Sequence, residues 1–389
     1  MLNNQKKSIR VGIVGNSGCI HNSFAMSTEQ LFKEPVGGNT GNLAFRYAVT
    51  NHIASEKLYL SWNSDPAWVR EACDLLVFPA ANHIKPTRDH TPKADFIEAV
   101  DLPCLILGLG AQASRLGDEI RLKEGSIRWL KAIAERSHLI GVRGEYTADV
   151  LARMGINNTI ILGCPSHFIN PLPTLGEVIE KKLYHTVPQN LVVTAGNPAK
   201  LSLKRVERKL MDWLRKYRGA YVCQSPQDLV SLARNCENEI SEDHLTRYRQ
   251  YLQPSISRYL QPRSKFIAFA RKHFRTFFDA GAWLEFLSSF DLSIGTRMHG
   301  NLLSVQASTP AICIHHDSRT QELSNVTSIP HLSISKFLAA RNIREAAELV
   351  SFEGRAFDKN RVRLASEYRE LLIKNGIAVG DVLDSLTKS

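Results

Sequence analysis

No apolar run in this 389-residue chain is long enough to cross a membrane as a helix. The longest, Leu102 to Ala111, is broken by two glycines and reaches about half of the roughly 20 residues a spanning helix needs. Near the start only Val11 to Val14 is unbroken, short of the roughly 7–15 apolar residues at the centre of a secretory signal. The seven cysteines (19, 73, 104, 164, 223, 236 and 313) are scattered, odd in number and contain no CxxC pair, which argues against a disulfide frame or a zinc site. There is no GxxxxGK followed by Ser or Thr, which disfavours a P-loop nucleotidase, and no short-period repeat. These absences predict a cytoplasmic protein with reduced thiols.

What is present is an ordinary globular balance, 43% hydrophobic and 22% charged residues, in a length suited to two domains. The excess of positive charge is uneven. Residues 201–280 hold 16 Lys/Arg against 8 Asp/Glu, most of the net +11. Within this block Arg258, Arg263, Lys265, Arg271, Lys272 and Arg275 alternate with Phe266, Phe269, Phe274, Phe277 and Phe278. A basic amphipathic mixture of that kind suits an anionic lipid surface or a lipid-linked acceptor, so a peripheral position at the inner face of the membrane is expected, the other reading being a solvated face over a core stripe. No nucleic-acid-binding module is recognisable, and no nucleic-acid partner is expected.

Short apolar runs alternate with longer amphipathic ones. Strands are expected at Arg10–Val14, Lys57–Ser61, Leu75–Phe78, Cys104–Leu107, Leu139–Val142 and Ile160–Leu162, with helices at Leu43–Asn51, Ala94–Val100, Ile120–Arg136 and Tyr146–Met154. Four prolines and little periodicity between Pro165 and Asn190 read as a domain boundary. A second series follows, with strands at Leu191–Ala195, Ala220–Cys223, Asp291–Ile294 and Ala311–Ile314, and late helices at Ile343–Val350 and Lys359–Lys374. The rhythm predicts an α/β protein of two Rossmann-like domains facing a cleft, 1–170 and 186–350, with a C-terminal helical segment, 351–389, packing back on the first.

The most informative stretch is DLSIGTRMHGNLLSVQASTPAICIHHD, Asp291 to Asp317. A strand ending at Gly295 leads through Thr296, Arg297, Met298, His299 and Gly300 into a helix, and helix starts at strand ends attract anions. Arg297 adds a fork suited to carboxylate or phosphate, and His299 a proton exchangeable near pH 7. A second such turn places Arg143 at a strand end ahead of Glu145 and Thr147. The alternative there is an Arg143 paired with Glu145 or Asp149. A third, GGNTGN at Gly37–Asn42, offers Gly38, Asn39, Gly41 and Asn42 at a helix start, either to bind a hydroxyl or anion or simply to form a turn and cap. His316 and Asp317 suit hydrogen bonding in the cleft better than metal binding, since no HExxH spacing accompanies them. Gly108–Ala113, GLGAQA, fits the GxGxxA dinucleotide pattern formally, but no helix opens at once after it. Cys164 lies at a strand end with no base that the sequence can assign to it.

GGNTGNL, GLGAQ, GVRGEYTADVLARMGI and IGTRMHGNLLSVQASTPAICIHHDSR, in this order, resemble the polysaccharide pyruvyl transferase family over roughly residues 35–325. The chain departs from the family pattern at Asn42, where an acidic residue is usual, and at Pro79–Asn82, where a glycine run is usual. The resemblance implies a GT-B-like fold and transfer of the pyruvyl group of phosphoenolpyruvate, as co-substrate, to a saccharide or lipid-linked saccharide as a ketal. It implies no further cofactor and no metal. It places catalysis on His299 and Arg297, with His299 as general acid, hydroxyl activator or phosphate ligand. Donor binding falls to Arg143, Thr296, Arg297, Met298 and Gly300, and further substrate contacts to Gly38, Asn39, Gly41, Asn42, His316 and Asp317. A nucleotide-sugar glycosyltransferase or a non-catalytic saccharide-binding protein are the readings this one displaces.

Overall fold

Strands such as Leu75–Pro79 and Cys104–Leu109 are apolar at nearly every position and buried at every one, as expected for strands covered on both faces. In a computed structural model, which describes residues 9–33, 35–113, 115–254 and 259–388, they lie inside the first of two parallel sheets. That sheet comprises β1 (Val11–Val14), β2 (Lys57–Leu60), β3 (Leu75–Pro79), β4 (Cys104–Leu109), β5 (Ile140–Val142) and β6 (Thr159–Ile161), in the order β2-β1-β3-β4-β5-β6. The second comprises β7 (Asn190–Ala195), β8 (Arg218–Cys223), β9 (Phe274–Arg275), β10 (Leu292–Gly295), β11 (Ala311–His315) and β12 (His331–Ser333), in the order β12-β11-β10-β7-β8-β9. The order reverses between β1 and β3 in one sheet and between β7 and β10 in the other, the places where such sheets bind ligands at their carboxyl ends.

One face of the first sheet is covered by helices Thr91–Val100 and Glu124–Arg136, which bring Phe96, Ile97, Trp129 and Ile133 onto it. The other is covered by the late helix Gly354–Lys374, whose Leu364, Tyr368, Leu371 and Leu372 join Val11, Ile13, Val77 and Leu105 in one core. The C-terminal helix thus packs back on the first domain. Buried Arg361 anchors it there, donating to the carbonyls of His167, Asn170 and Leu172.

Three expectations need correction. The proline-rich stretch Pro165–Asn190, expected to show little periodicity, is partly regular. It holds a 3-10 turn at Pro165–Phe168 and a helix at Leu175–His185, whose Leu175, Ile179 and Leu183 recur every four residues and are buried. The helix expected from Ile120 begins at Glu124. In the basic block, Phe266 and Phe274 are buried and Phe269 packs on the same core, while Arg263 and Arg271 pair with Glu242 and Glu237 at the surface. The aromatic half of that pattern therefore faces inward; Arg258 lies outside the described residues. Among the described residues, no helix is long and apolar enough to cross a membrane.

Candidate active site at the seam between the sheets

The carboxyl ends of both sheets meet across a seam bridged by helix Asn42–His52. Its Phe45 and Ala44 sit in clusters drawn mostly from the second half. Thr40 just before it donates its backbone N–H to Gln224 O at 3.1 Å. Gly41 allows the close approach here: a Cβ would come within 2.5 Å of Gln224 Oε1, which would have to shift, and 3.3 Å of His299 Cβ. The glycine loop's role at Gly41 is thus close approach to the second half. Asn39 and Asn42 turn back on the loop, Asn39 accepting from Gly41 N at 2.8 Å and Asn42 donating to Val36 O at 2.9 Å, although both also line a cavity with Gly38.

His299 opens the buried helix Met298–Gln306. Its Nε2 lies 3.8 Å from Cys164 Sγ, and its ring sits 5.4 Å from that of Phe45. Burial, and then the charges of Arg143 and Arg319, hold its imidazolium well below the ordinary range, so the ring is neutral at pH 7. Cys164, in turn 3.1 Å from Ser166 Oγ, thus has beside it a histidine that its sequence position could not reveal.

Arg143 reaches the same place from the end of β5. It is 1% exposed, donates from Nε to Gly108 O and from Nη1 to Asn82 Oδ1, both at 2.9 Å, and keeps Nη2 without an acceptor. Gly110 makes room for it, since a Cβ there would meet Arg143 Cδ at 2.7 Å. The GLGAQA stretch is accordingly the channel for an arginine. Neither Glu145 nor Asp149 pairs with Arg143. The first turn of helix Glu145–Ala152 is instead occupied by buried Glu322 from the second half, which accepts from Thr147 N at 2.8 Å and Thr147 Oγ1 at 3.0 Å.

Arg297 points elsewhere. Its Nε donates to Ala195 O at 3.1 Å and its Nη2 to Ser225 O and Oγ at 2.9 and 2.6 Å, beside the strand reversal of the second sheet. Burial lowers its pKa to about 10. Thr296 is buried against Glu207, Met298 is 6% exposed, and Gly300 lies against Thr194 and Gln224 with no room for a Cβ. These three shape the turn. Glu207 is fully buried and accepts from Tyr221 Oη at 2.6 Å and Gly196 N at 3.0 Å. Asp317 caps the helix Ser318–Thr327 through Thr320 and sits 3.6 Å from His316 Nε2. Both line a pocket between the halves with Lys85, Gln112 and Lys200.

The cation that accompanies Arg143 at His299 is therefore Arg319, not Arg297. Arg319 Nη2 lies 3.4 Å from Asp317 Oδ2, its Nε–H is buried without an acceptor, and its charge acts on Arg143, Arg297 and His299 alike.

Residues 37–318, well over half of the chain, match the model of the family described as polysaccharide pyruvyl transferase. The chain belongs to that family. The matched span carries Asn82, Arg143, Cys164 and His299 and ends one residue before Arg319. No curated protein matches the sequence. Among solved structures, this pyruvyl transferase family member is similar to HepE of Anabaena, solved with UDP and glucose, at 9% identity over 94% of this chain and 100% of that one, TM-score 0.44. It is also similar to UDP-N-acetylglucosamine 2-epimerase from Rickettsia bellii, at 11% identity over 94% and 98%, TM-score 0.41. Sequence reasoning missed Arg319, Glu322, Glu207 and Gln224 in this family member. The only signal for Arg319 was its place two residues beyond Asp317 in the last motif.

Proposed function

We propose that this protein transfers the pyruvyl group of phosphoenolpyruvate to two hydroxyls of a saccharide, free or lipid-linked, as a ketal in surface polysaccharide synthesis. The observation that carries the reading is the pair of buried guanidinium N–H groups without acceptors, Arg143 Nη2 and Arg319 Nε, whose charges bear on neutral His299. A buried donor left unpaired costs about 1–3 kcal/mol, and more for a charged group, so each favours an anionic partner. Phosphoenolpyruvate has two anionic ends, a carboxylate and a phosphate, and the two arginines come from different sheets.

In the reaction one sugar hydroxyl forms a bond to C2 of the donor while the C=C electrons take a proton at C3, giving a methyl group. The C2–O bond to phosphate breaks, and a second hydroxyl closes the ketal. The protons lost by the two hydroxyls balance the one gained at C3 and the one on the released hydrogen phosphate. The bound phosphate dianion offsets the charges of Arg143 and Arg319, so in the donor complex His299 carries a proton, supplies it to C3 and regains one from the attacking hydroxyl. Its Nδ1 makes no hydrogen bond among the described residues, whereas Nε2 faces the Cys164 thiol. In the donor-free protein a thiol donating to Nε2 leaves the proton on Nδ1 and sets the ring's orientation, which makes Cys164 a positioning residue. Arg143 and Arg319 neutralise the donor and the departing phosphate. Arginine rather than a metal ion meets that charge, and Arg297 holds the turn that carries His299.

Incubation with phosphoenolpyruvate and a panel of hexosides, with mass detection of the pyruvylated sugar and assay of released phosphate, tests the reading. Absence of both across neutral and phosphorylated acceptors would count against it.

A further inference from the structure

A cavity of about 620 Å³ opens at the strand reversal of the first sheet, lined by Val14, Phe78, Pro79 and Ala80 from β1, β3 and the turn after β3. Its lining is charged in an unusual way. Lys33, Arg46, Lys85, Arg88, Lys93 and Arg319 face it, against the single acid Asp89, whose side chain is bonded to Thr91. Lys33 pairs with Glu29 and Arg319 lies by Asp317. Arg46, Lys85, Arg88 and Lys93 form no ion pair among the described residues. They are close enough to work against each other: Arg88 and Arg46 add to burial in lowering the pKa of Lys93 to about 8, and Arg88 and Arg319 do the same, more weakly, to Lys85. Four unpaired cations converging on one hollow destabilise the empty protein and are relieved by a bound anion.

The other wall is aromatic. Trp62 stacks on Phe78 at 5.3 Å, Lys93 Nζ sits 4.7 Å from the centre of Trp62 and 5.5 Å from that of Trp129, and buried Trp129 keeps its Nε1–H without an acceptor. Flat rings beside polar donors suit the face of a sugar. The cavity also adjoins the reaction centre, because Phe45 lines it and touches His299, Asn82 lines it and holds Arg143, and Arg319 belongs to both.

We infer that this cavity binds the acceptor as a phosphorylated saccharide, its phosphate or diphosphate among Arg46, Lys85, Arg88 and Lys93 and its hydroxyls toward His299. The inference rests on the reading of the protein as a pyruvyl transferase only for the acceptor's role; the affinity for a phosphorylated sugar stands without it. The chemistry is shared by sugar phosphates, nucleotide sugars and lipid-linked diphosphates, and the size falls within the range of small-molecule sites, roughly 300–1,000 Å³.

Titration calorimetry on the full-length protein decides the matter. The ligands are methyl hexosides, the matching hexose 1-phosphates, UDP-hexoses, a short-chain prenyl diphosphate hexose, inorganic pyrophosphate and phosphoenolpyruvate. Phosphorylated saccharides, and pyrophosphate alone, are expected to bind at least tenfold more tightly than methyl hexosides. Their rank among themselves identifies the source of the phosphate. Lys93→Met preserves the packing over the tryptophans and Arg88→Gln changes an exposed residue, so both variants retain the fold, as circular dichroism will verify. Each is expected to weaken the phosphorylated ligands and pyrophosphate about ten- to a hundredfold and leave phosphoenolpyruvate affinity unchanged. Equal affinity for methyl and phosphorylated hexosides overturns the inference. So does an equal loss of phosphoenolpyruvate binding in both variants, which would make the cavity the donor's site. Tight binding of phosphorylated sugars without pyruvyl transfer would sustain the cavity and defeat the reaction.

Discussion

Replacing Arg319 and Arg297 in turn separates an arginine that meets the donor from one that holds the protein together. Arg319 has a buried Nε–H with no acceptor, and a single 3.4 Å contact from Nη2 to Asp317. Arg297 has three hydrogen bonds, to Ala195 O and to both oxygens of Ser225. Arg319→Met therefore gives up little in the free protein but loses a charge-assisted contact to the donor worth about 1.5–3 kcal/mol, roughly ten- to a hundredfold in kcat/KM for phosphoenolpyruvate. It also removes one of the two charges that suppress the His299 imidazolium, so the His299 pKa rises toward its ordinary value. Arg297→Met breaks bonds that tie the end of β10 to its neighbours, and on the order of 2–4 kcal/mol of stability goes with them. The assays are steady-state kinetics with phosphoenolpyruvate varied, and urea denaturation of each variant. An Arg319→Met protein with unchanged donor kinetics, beside a fully stable Arg297→Met protein that no longer uses the donor, would refute this assignment.

His299→Gln is expected to fold normally and lose roughly 10²–10⁴-fold in turnover, with donor affinity changed far less; normal turnover in kinetics would remove the proton-donor role. If the thiol orients the imidazole, Cys164→Ala lowers turnover and shifts its pH profile, and Cys164→Ser, which keeps an O–H donor, restores most of both; a merely structural role for Cys164 predicts an unshifted profile. Acid should destabilise the fold. The pKa of His52 is depressed from 6.5 to about 4 by burial, with Arg361 adding to the effect against the hydrogen bond to Phe168 O. Its folded form therefore resists a proton that the unfolded chain accepts. Stability is full above about pH 6.5 and falls by roughly 3 kcal/mol through this group as the pH drops to 4. Denaturant midpoints across that range check it, and His52→Gln should flatten part of the slope.

The sheets were legible because their strands are covered on both faces, so runs such as LLVF and CLIL announce themselves without regard to context. The site was legible only in part. Arg143 and His299 stand at strand-to-helix turns, a local signal that sequence carries. Arg297 shares that signal, yet its guanidinium is turned to Ala195 and Ser225, which lie 102 and 72 residues away in sequence. Which arginine faces the seam depends on packing between the halves, and no spacing encodes that. Glu322 illustrates the same limit. It caps a helix 175 residues upstream, on the opposite sheet. The phenylalanines of the basic block look like a surface pattern in one dimension, but helix Arg263–His273 and strand β9 turn them onto Tyr221 and its neighbours. The cationic cavity was invisible because its cations come from five separate segments: the loops or helices around residues 33, 46, 85–88, 93 and 319.

The most direct test of the central claim is the fate of the donor's methylene carbon. The protein is incubated in deuterium oxide with phosphoenolpyruvate and an accepting saccharide, and the product is examined by proton NMR and mass spectrometry. A pyruvyl ketal whose methyl group carries one deuterium, formed with one equivalent of phosphate, is the predicted result. A saccharide that gains no pyruvyl group while phosphoenolpyruvate is left intact, or that is extended instead from a nucleotide sugar, would contradict it.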